Sequence, residues 1–355
     1  MSEPLYVPVL PVRQHARMAY ERLRPDIQAS VAPLWNLPPS PGTTPAHLKK
    51  ARWQKELRRV RGVHRRHPGW IDAPFAEAAQ ASALAEILAE CSALNHLLRP
   101  VTGPERSEVQ QTAALETARR CGCGCGVGVR VRMPGEWDGA VAEAVGALMG
   151  RVDREVPVDL LLDLGAVLPG RPDAGKEALR ALDALVALAG DWRTVAVLGG
   201  AFPQVTDDMM PFGEPHEEPR ADWDAWHEIR AARRDRLSRL RYGDYGVQPP
   251  AALATEPGNG GPPWGVLRYT TDRSFVLCKV LNGGPDRTAG IRTAARRIRD
   301  LPDFRTAVAS AGDTWFRDCA DGPMTDSEGT GTHTQWLWAG GVQHMTHVVR
   351  SLPGT

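Results

Sequence analysis

The sequence lacks any apolar run near the roughly 18 residues that a membrane-spanning helix needs. Its 43 Lys and Arg residues are balanced by 42 Asp and Glu residues, and a net charge of +1 does not attract nucleic acid or a membrane surface. The first residues, Met1 to Tyr6, lack the basic start and apolar core of a signal peptide. We therefore expect a soluble, cytoplasmic protein that does not act at a membrane.

Cysteine is also scarce, because six cysteines in 355 residues are too few for a disulfide scaffold. Cys121, Cys123 and Cys125 alternate with glycine and could direct three thiolates to one side of an extended chain, as in a soft-metal site. However, there is no Cys-x-x-Cys pair, and a small-residue segment that leads into a strand is the favoured interpretation. His344 and His347 lack the Glu of a His-Glu-x-x-His motif. The sequence thus predicts no metal site and identifies no cofactor.

Several enzyme motifs are absent: the Gly-x-Ser-x-Gly elbow, the Walker A loop and a dinucleotide-binding glycine motif placed after a strand. Basic residues are dense in two segments, 49–67 and 230–241, which we interpret as helices. Within each helix they surround the axis instead of lining one side, which favours a solvated face over a phosphate-binding patch. Nucleic acid is accordingly the least favoured partner.

Short apolar runs alternate with helical patterns over the first 250 residues, which is typical of βαβ units and a parallel sheet. The predicted strands lie at 5–10, 31–36, 70–73, 97–102, 127–133, 158–165, 194–200 and 241–246. The predicted helices between them lie at 14–23, 46–66, 84–94, 105–120, 141–149, 173–190 and 223–240. Eight strands in eight such units close a barrel, so the predicted fold class is α/β, a (β/α)8 TIM-like barrel.

The chain beyond the eighth strand has a different pattern. A Gly/Pro-rich linker at 254–263 precedes a predicted hairpin, 267–270 against 275–279, and helical patterns near 289–299, 304–311 and 343–352. We assign residues 1–253 to the barrel and residues 254–355 to a C-terminal part that completes and caps it. No repeat of fixed period occurs.

The alternation of side chains along two predicted strands places charges inside this barrel. On the fifth strand Arg130 and Arg132 lie opposite the valines, and on the sixth Asp159 and Asp163 lie opposite the leucines. Because outward charges would be buried against helices, we expect these charges to point inward. Arg132 and Asp163 then face each other in the barrel mouth, either as part of a substrate site or as a structural ion pair.

Further candidate residues follow the ends of other strands, where active sites of this fold lie. Three strands end on polar residues, Asn36, Asp72 and Thr102. Two glycines precede Phe202 after the seventh strand and would either let backbone N–H groups approach an anion or form a tight turn. Asp244 and Tyr245 lie within the predicted eighth strand, flanked by glycines and aromatic residues, where Asp244 would lie on a groove floor or bind its own backbone in a turn.

Several short motifs occur in a fixed order along nearly the whole chain. They are Tyr6-Val7-Pro8-Val9-Leu10, Pro33-Leu34-Trp35-Asn36-Leu37-Pro38-Pro39, Leu161-Leu162-Asp163, Ala201-Phe202-Pro203, Tyr242-Gly243-Asp244-Tyr245 and Arg268-Tyr269. In this order they resemble the phage-type beta protein family, which is sporadic in bacteria and phages and often lies near defence genes. The resemblance implies no particular reaction.

The same resemblance implies a ligand pocket and also shows departures from the family pattern. The residues that match the family are Arg132, Asp163, Arg220, Asp244, Arg268 and His344. Where members commonly carry Lys, Glu and Glu, this chain has Pro11, Ala16 and Asn36. If those groups do chemistry in the family, this chain is altered or inactive while its pocket is retained.

Two functional hypotheses follow. In the first, the barrel mouth binds a small anionic or nucleotide-like ligand through Arg132, Arg268 and Lys279, and Asp163 and Asp244 are acid/base candidates for a hydrolase or transferase in phage defence. Its further ligand-binding candidates are Asp72, Asn36, Phe202, Tyr245, Arg220 and His344. In the second, the chain is a non-catalytic module that recognises a phage or host protein. Association between copies of the chain is left open.

Overall fold

Eight parallel strands form a closed barrel at the centre of the molecule. The structure, a computed structural model, describes residues 5–48, 53–64, 67–94, 97–120, 125–188, 192–233, 239–255, 261–306 and 308–352. Its strands are β1 (Tyr6–Pro11), β2 (Leu34–Asn36), β3 (Gly69–Asp72), β4 (Leu98–Thr102), β5 (Val127–Arg132), β6 (Val158–Ala166), β7 (Trp192–Gly200), β8 (Pro215–Pro219), β9 (Leu240–Asp244), β10 (Trp264–Thr270) and β11 (Ser274–Leu281). The barrel consists of β1 to β7 and β9 in chain order, which confirms the predicted fold class.

Helices up to residue 232 surround the barrel, and helices from residue 287 onwards belong to the C-terminal part. They are α1 (Gln14–Glu21), α2 (Pro25–Gln28), α3 (Pro45–His47), α4 (Trp53–Val63), α5 (Ala81–Leu94), α6 (Glu108–Arg120), α7 (Gly139–Met149), α8 (Ala174–Val186), α9 (Ala221–Ala232), α10 (Arg287–Arg299), α11 (Ala311–Asp321) and α12 (His333–Ser351). Parts of three predicted helices lie outside the described residues: 49–52 and 65–66 of the helix at 46–66, 189–190 of the helix at 173–190, and 234–238 of the helix at 223–240. No helix in the described part of the chain is long and apolar enough to cross a membrane.

The last two helices begin at other residues than predicted. The prediction of a helix at 304–311 is wrong, because α11 begins only after Ser310, whose hydroxyl accepts hydrogen bonds from the N–H groups of Gly312 and Asp313 as a helix N-cap. Helix α12 begins well before the predicted residue 343. A reciprocal capping box between Thr332 and Gln335 fixes its start.

Two separate apolar layers follow from the alternation along the strands. The valines of β5 and the leucines of β6 that were predicted to face outward pack in the layer shared with the helices. A second cluster fills the barrel interior and includes Val7, Val9, Leu34, Trp70, Leu161 and Leu198. The predicted facing of these two strands is therefore confirmed for their apolar residues.

A three-stranded antiparallel sheet lies beside the barrel, in the order β10-β11-β8. The predicted hairpin is confirmed as β10 and β11, while β8 comes from the connection after β7 and was not predicted. Its sequence, Pro-His-Glu-Glu-Pro, shows no apolar alternation. It is an edge strand that pairs with β11 through the backbone, and the Ser274 hydroxyl also donates to Oε2 of Glu217 at 2.9 Å. One face of the sheet packs on α10, α11 and α12, and the other contacts the segment after β7. The division of the chain at residue 253 stays a prediction.

Candidate functional site

A buried network of charged side chains lies inside the barrel at the C-terminal ends of its strands. Its centre is Arg130 of β5, which is 3% exposed. The Arg130 guanidinium donates from Nε and Nη2 to Oδ2 of Asp163, at 3.0 and 2.8 Å. It also donates from Nη1 to Asn36 and Asp72, both at 2.7 Å, and from Nη2 to the hydroxyl of Tyr245 at 3.0 Å. These bonds use every N–H that a guanidinium offers.

Asp163 is equally well satisfied. Its Oδ1 accepts hydrogen bonds from the hydroxyl of Tyr245 at 2.7 Å and from the backbone N–H of Gly165 at 3.0 Å. Burial alone would raise the pKa of this carboxyl group, but Arg130 and these hydrogen bonds lower it below its ordinary value. Asp163 is therefore ionised at neutral pH and holds no proton that it could donate to a substrate there.

The predicted pairing of Arg132 with Asp163 inside the barrel is wrong. The two residues are neighbours in the strand register, but Arg132 is exposed to solvent and Arg130 makes the ion pair. Alternation correctly puts both arginines on the inward face of β5. It does not fix how far along the barrel each one lies, and Arg132 is at the strand end, where water hydrates its charge. A ligand-binding role for Arg132 at this rim stays a prediction.

Asp72 of β3 joins the same network with a second cation that sequence reasoning missed. Arg106, from the connection after β4, donates Nη2 to both carboxylate oxygens of Asp72, at 3.2 and 3.1 Å. Two buried polar atoms next to these groups, Nδ2 of Asn36 and Oγ1 of Thr102, have no hydrogen-bond partner. Arg106 lies at the start of the predicted helix 105–120, shortly after the predicted strand 97–102, and this position near a strand end was the available signal.

A short 3-10 turn covers this network. Leu253, from the turn Pro250–Ala254, packs with Tyr245 in the apolar cluster of the barrel interior. Gly200 permits the approach, because a Cβ there would lie 2.6 Å from the Pro250 ring. The mouth in which a ligand was expected is therefore filled by the protein's own side chains in this conformation.

Asp244 lies on the other side of the barrel wall from Asp163, so the structure does not bring the two predicted acid/base residues together. Its neighbour Tyr245 points into the barrel, and alternation turns Asp244 outward. There Asp244 accepts hydrogen bonds from the hydroxyl of Tyr6, from the N–H of Gly246 at 2.8 Å and from Nε2 of His344 at 2.9 Å. The expectation that Asp163 and Asp244 serve one mouth is wrong for this reason.

His344 of α12 connects Asp244 to the small sheet. Its Nδ1 lies 2.9 Å from Oγ1 of Thr270 on β10, and all three side chains are buried. The next residue back, Gln343, pairs with the backbone of Thr270: its amide accepts from the N–H and donates to the C=O, both at 2.9 Å. Asp244, His344 and Gln343 thus fasten α12 between the barrel wall and the edge strand β10.

Arg220 and Asp222 are both buried at the start of α9, where their opposite charges attract each other. Arg220 lies over the ring of Trp223 at 4.7 Å and donates Nη1 to the carbonyl of Thr271 at 3.2 Å. Asp222, which sequence reasoning missed, accepts from the hydroxyl of Tyr242 at 2.8 Å. Burial, followed by the negative charge of Asp244, raises the pKa of Asp222 to about 6.

Lys279 of β11 is a buried cation whose charge is already compensated. Its Nζ lies 2.6 Å from Oδ1 of Asp207 and 4.4 Å from the centre of the Phe212 ring. Phe202 is also buried and lies on the same side of the small sheet, against Phe275. The predicted ligand contacts of Lys279 and Phe202 are therefore already taken by protein atoms in this conformation.

Arg268 of β10 resembles Arg220 in having two buried guanidinium nitrogens without a hydrogen-bond partner, but Asp222 and Asp244 act on Arg220, whereas only burial acts on the pKa of Arg268. Its Nε and Nη1 are buried and have no hydrogen-bond partner, and its guanidinium lies 5.4 Å from the centre of the Phe202 ring. Burial lowers the pKa of Arg268 to about 10, and no carboxylate opposes that effect. In the part of the chain that the structure describes, no acidic side chain is paired with it.

Among the residues that the structure describes, the groups that act electrostatically around Arg268 are basic or neutral. We call Arg13, His15, Gln248, Arg268 and His333 the Arg268 cluster. The amide of Gln248 lies 2.8 Å from Nε2 of His15. Burial, then the positive charges of Arg13, Arg268 and His333, lower the pKa of His15 to about 3. Burial and Arg268 also lower the pKa of His333. The cluster joins the ends of β1 and β9 to β10 and the start of α12.

The described residues contain no group of three or more side chains suited to hold a metal ion. Cys121 and Cys123, the alternating cysteines of the sequence analysis, lie outside the described residues. Cys125 is buried, and its Sγ lies 3.9 Å from the carbonyl oxygen of Leu98. It packs at the start of β5 as a small apolar residue does.

Comparison with known proteins gives one result that spans the molecule. The family model described as Beta protein matches residues 6–350. That range contains the barrel, the small sheet and every residue of the Arg268 cluster. No curated protein matches the chain.

Proposed function

We propose that this chain, which belongs to the Beta protein family, binds a small anionic ligand through the Arg268 cluster. The observation that carries the proposal is the Arg268 guanidinium, which has two buried nitrogens without an acceptor and no acidic partner in the described residues. Burying a charged group without a partner costs several kcal/mol. An anionic ligand supplies the missing acceptors and the missing negative charge.

The neighbours of Arg268 support the same conclusion. Arg13, His15 and His333 come from other parts of the chain. Each of these side chains is either positively charged or neutral, and none of them is negatively charged. A cation is disfavoured at such a place, whereas an anion is attracted from several sides. Arg13, Arg268 and Gln248 are half-buried and His333 is exposed, so solvent reaches the cluster.

Binding is supported better than hydrolysis or group transfer. Asp163 is ionised, fully hydrogen-bonded and covered by the turn Pro250–Ala254, and Asp244 is held by Tyr6, Gly246 and His344. A general acid or base must reach a substrate proton, and both carboxylates are occupied by protein donors. A reaction at phosphate or acyl centres, a role in phage defence and the alternative of a protein-recognition module stay predictions from the sequence and the family resemblance.

The test compares ligand binding by the wild type and by Arg268→Met. Isothermal titration calorimetry at pH 7 and low ionic strength would use inorganic phosphate, pyrophosphate, AMP and ATP as probes. Because hydrogen bonds to charged groups contribute roughly 1.5–3 kcal/mol, the variant should bind at least about tenfold more weakly than the wild type.

The matched control is Arg317→Met, which removes an exposed arginine of α11 that pairs with its neighbour Asp318. This variant should bind the probes as the wild type does. Failure of every probe to bind the wild type, or equal binding by Arg268→Met, would overturn the proposal.

A further inference from the structure

Resting on the proposed function, we infer that the Arg268 cluster takes a tetrahedral dianion of the phosphate or sulfate type and that His15 takes up a proton when the ligand binds. The inference concerns the class of ligand and its coupling to pH. It follows from the arrangement of charges around Arg268 and from the contact between His15 and Gln248.

The first step is the charge balance of the cluster. A monoanion such as acetate compensates Arg268 alone, whereas a dianion carries a second negative charge that Arg13 and a protonated His15 can share. His15 is the buried titratable group that can become positively charged at this place. It is 9% exposed, and the charges that act on it are those of Arg13 before α1, Arg268 of β10 and His333 of α12. No carboxylate contributes to this set.

The second step is the sign of the coupling. In the free protein these cations and burial keep the His15 ring neutral, with its pKa lowered to about 3. A bound dianion reverses the local field and favours the imidazolium, which raises the pKa of His15 in the complex. The complex then binds more protons than the free protein at pH 5–7, so affinity increases as pH falls through this range.

The third step is the contact that lets the ring change its protonation state. Gln248 Nε2 lies 2.8 Å from Nε2 of His15, so its amide donates to the neutral ring nitrogen. When Nε2 gains a proton, rotation of the amide by half a turn presents Oε1 as an acceptor at the same place. The hydrogen bond survives, and no buried polar atom is left without a partner.

The experiment uses sulfate, because it remains a dianion from pH 5 to 8 and does not titrate itself. Calorimetry at pH 6 in two cationic buffers of different ionisation enthalpy measures the protons taken up per sulfate bound. We expect an uptake between one half and one proton for the wild type and an affinity that rises at least fivefold from pH 8 to pH 5. Acetate, the monoanionic comparison, should bind more weakly and with less uptake.

Three variants, one of them a control, test which residue takes up the proton when sulfate binds. His15→Gln should still bind sulfate, but with no uptake and with one affinity across the pH range. Gln248→Leu removes the acceptor for the protonated ring and should reduce uptake by at least half, which provides a second test if His15→Gln does not fold. His227→Gln changes an exposed histidine of α9, outside the cluster, and should behave as the wild type does.

The outcomes separate the two proposals. Sulfate binding without proton uptake and with constant affinity from pH 5 to 8 overturns this inference and leaves anion binding intact. Uptake that persists in His15→Gln and disappears in His333→Gln overturns the assignment to His15. Absence of binding by any anion overturns the proposed function itself.

Discussion

Two nitrogens of the Arg130 guanidinium donate hydrogen bonds to one carboxylate oxygen of Asp163, at 2.8 and 3.0 Å, inside the closed barrel. The same guanidinium contacts Asn36 of β2, Asp72 of β3 and Tyr245 after β9. One side chain therefore connects four barrel strands and the segment that closes the barrel mouth. Every N–H of the Arg130 guanidinium donates a hydrogen bond, and the network is covered. We therefore infer that this network positions the ends of the strands.

Replacing Arg130 should destabilise the protein strongly. Arg130→Met leaves the buried carboxylates of Asp72 and Asp163 without their shared partner, and breaking a buried pair in this way typically costs about 3–5 kcal/mol. Urea denaturation at pH 7 would measure the free energy of unfolding. Arg132→Met, two residues along the same strand but exposed, is the control and should change it by less than about 0.5 kcal/mol. Similar losses in both variants would contradict this interpretation.

Replacing Arg268 should have the opposite effect on stability. Arg268→Met removes a guanidinium with two buried, unpaired nitrogens, together with its cation–π contact to the Phe202 ring. An unsatisfied buried group costs roughly 1–3 kcal/mol, so the variant should be more stable by about 1 kcal/mol in the absence of anions. Sulfate should raise the thermal midpoint of the wild type and not that of the variant. A variant less stable than the wild type would show that Arg268 has a structural role.

Asp222 should make the protein less stable above pH 6 than below it. Its pKa is about 6 in the folded state and roughly 3.9 in the unfolded chain. The folded state therefore binds more protons between these values, and stability from this group rises as pH falls from 6 to 4. Asp222→Asn should be more stable than the wild type at pH 7–8, by on the order of 1–3 kcal/mol, and the difference should shrink towards pH 4.5.

The measurement is urea denaturation of both proteins over that pH range. Asp224→Asn, an exposed position on the same helix, is the control and should show no pH-dependent difference. A gain in stability for Asp222→Asn that does not depend on pH would indicate that Asp222 is not the titrating group.

The amide of Gln343 should be worth about 2 kcal/mol through its two hydrogen bonds to the backbone of Thr270. Gln343→Leu leaves a buried N–H and C=O of the edge strand without partners. Thermal unfolding and hydrogen exchange at Thr270 would measure the loss, with Gln204→Leu in an exposed loop as the control. Unchanged protection of the Thr270 amide would refute the proposed edge pairing.

The sequence predicted the site only in part, and the reasons differ from residue to residue. Alternation along β5 and β6 identified the inward faces of these strands, and it therefore correctly predicted that Arg130 and Asp163 lie in the barrel interior. It could not distinguish Arg130 from Arg132, because period-two alternation is the same at every depth of a barrel. Asp244 was wrongly predicted to face the barrel mouth, because the prediction did not take into account that Asp244 and Tyr245, as adjacent residues of a strand, point to opposite faces.

The sequence by itself determined that this chain forms a (β/α)8 barrel, because apolar alternation and helical periodicity repeat often enough to close a ring of eight strands. Only the tertiary structure decided which charges meet. Arg268 and His15 are brought together by the seating of β10 and α12 against the barrel, and β8 exists only because β11 offers an edge for it. Local sequence patterns show on which face of a strand or helix a residue lies. The pairing of distant charges depends instead on how deep each residue lies in the barrel and on how the elements pack, and neither produces a periodic pattern in the sequence.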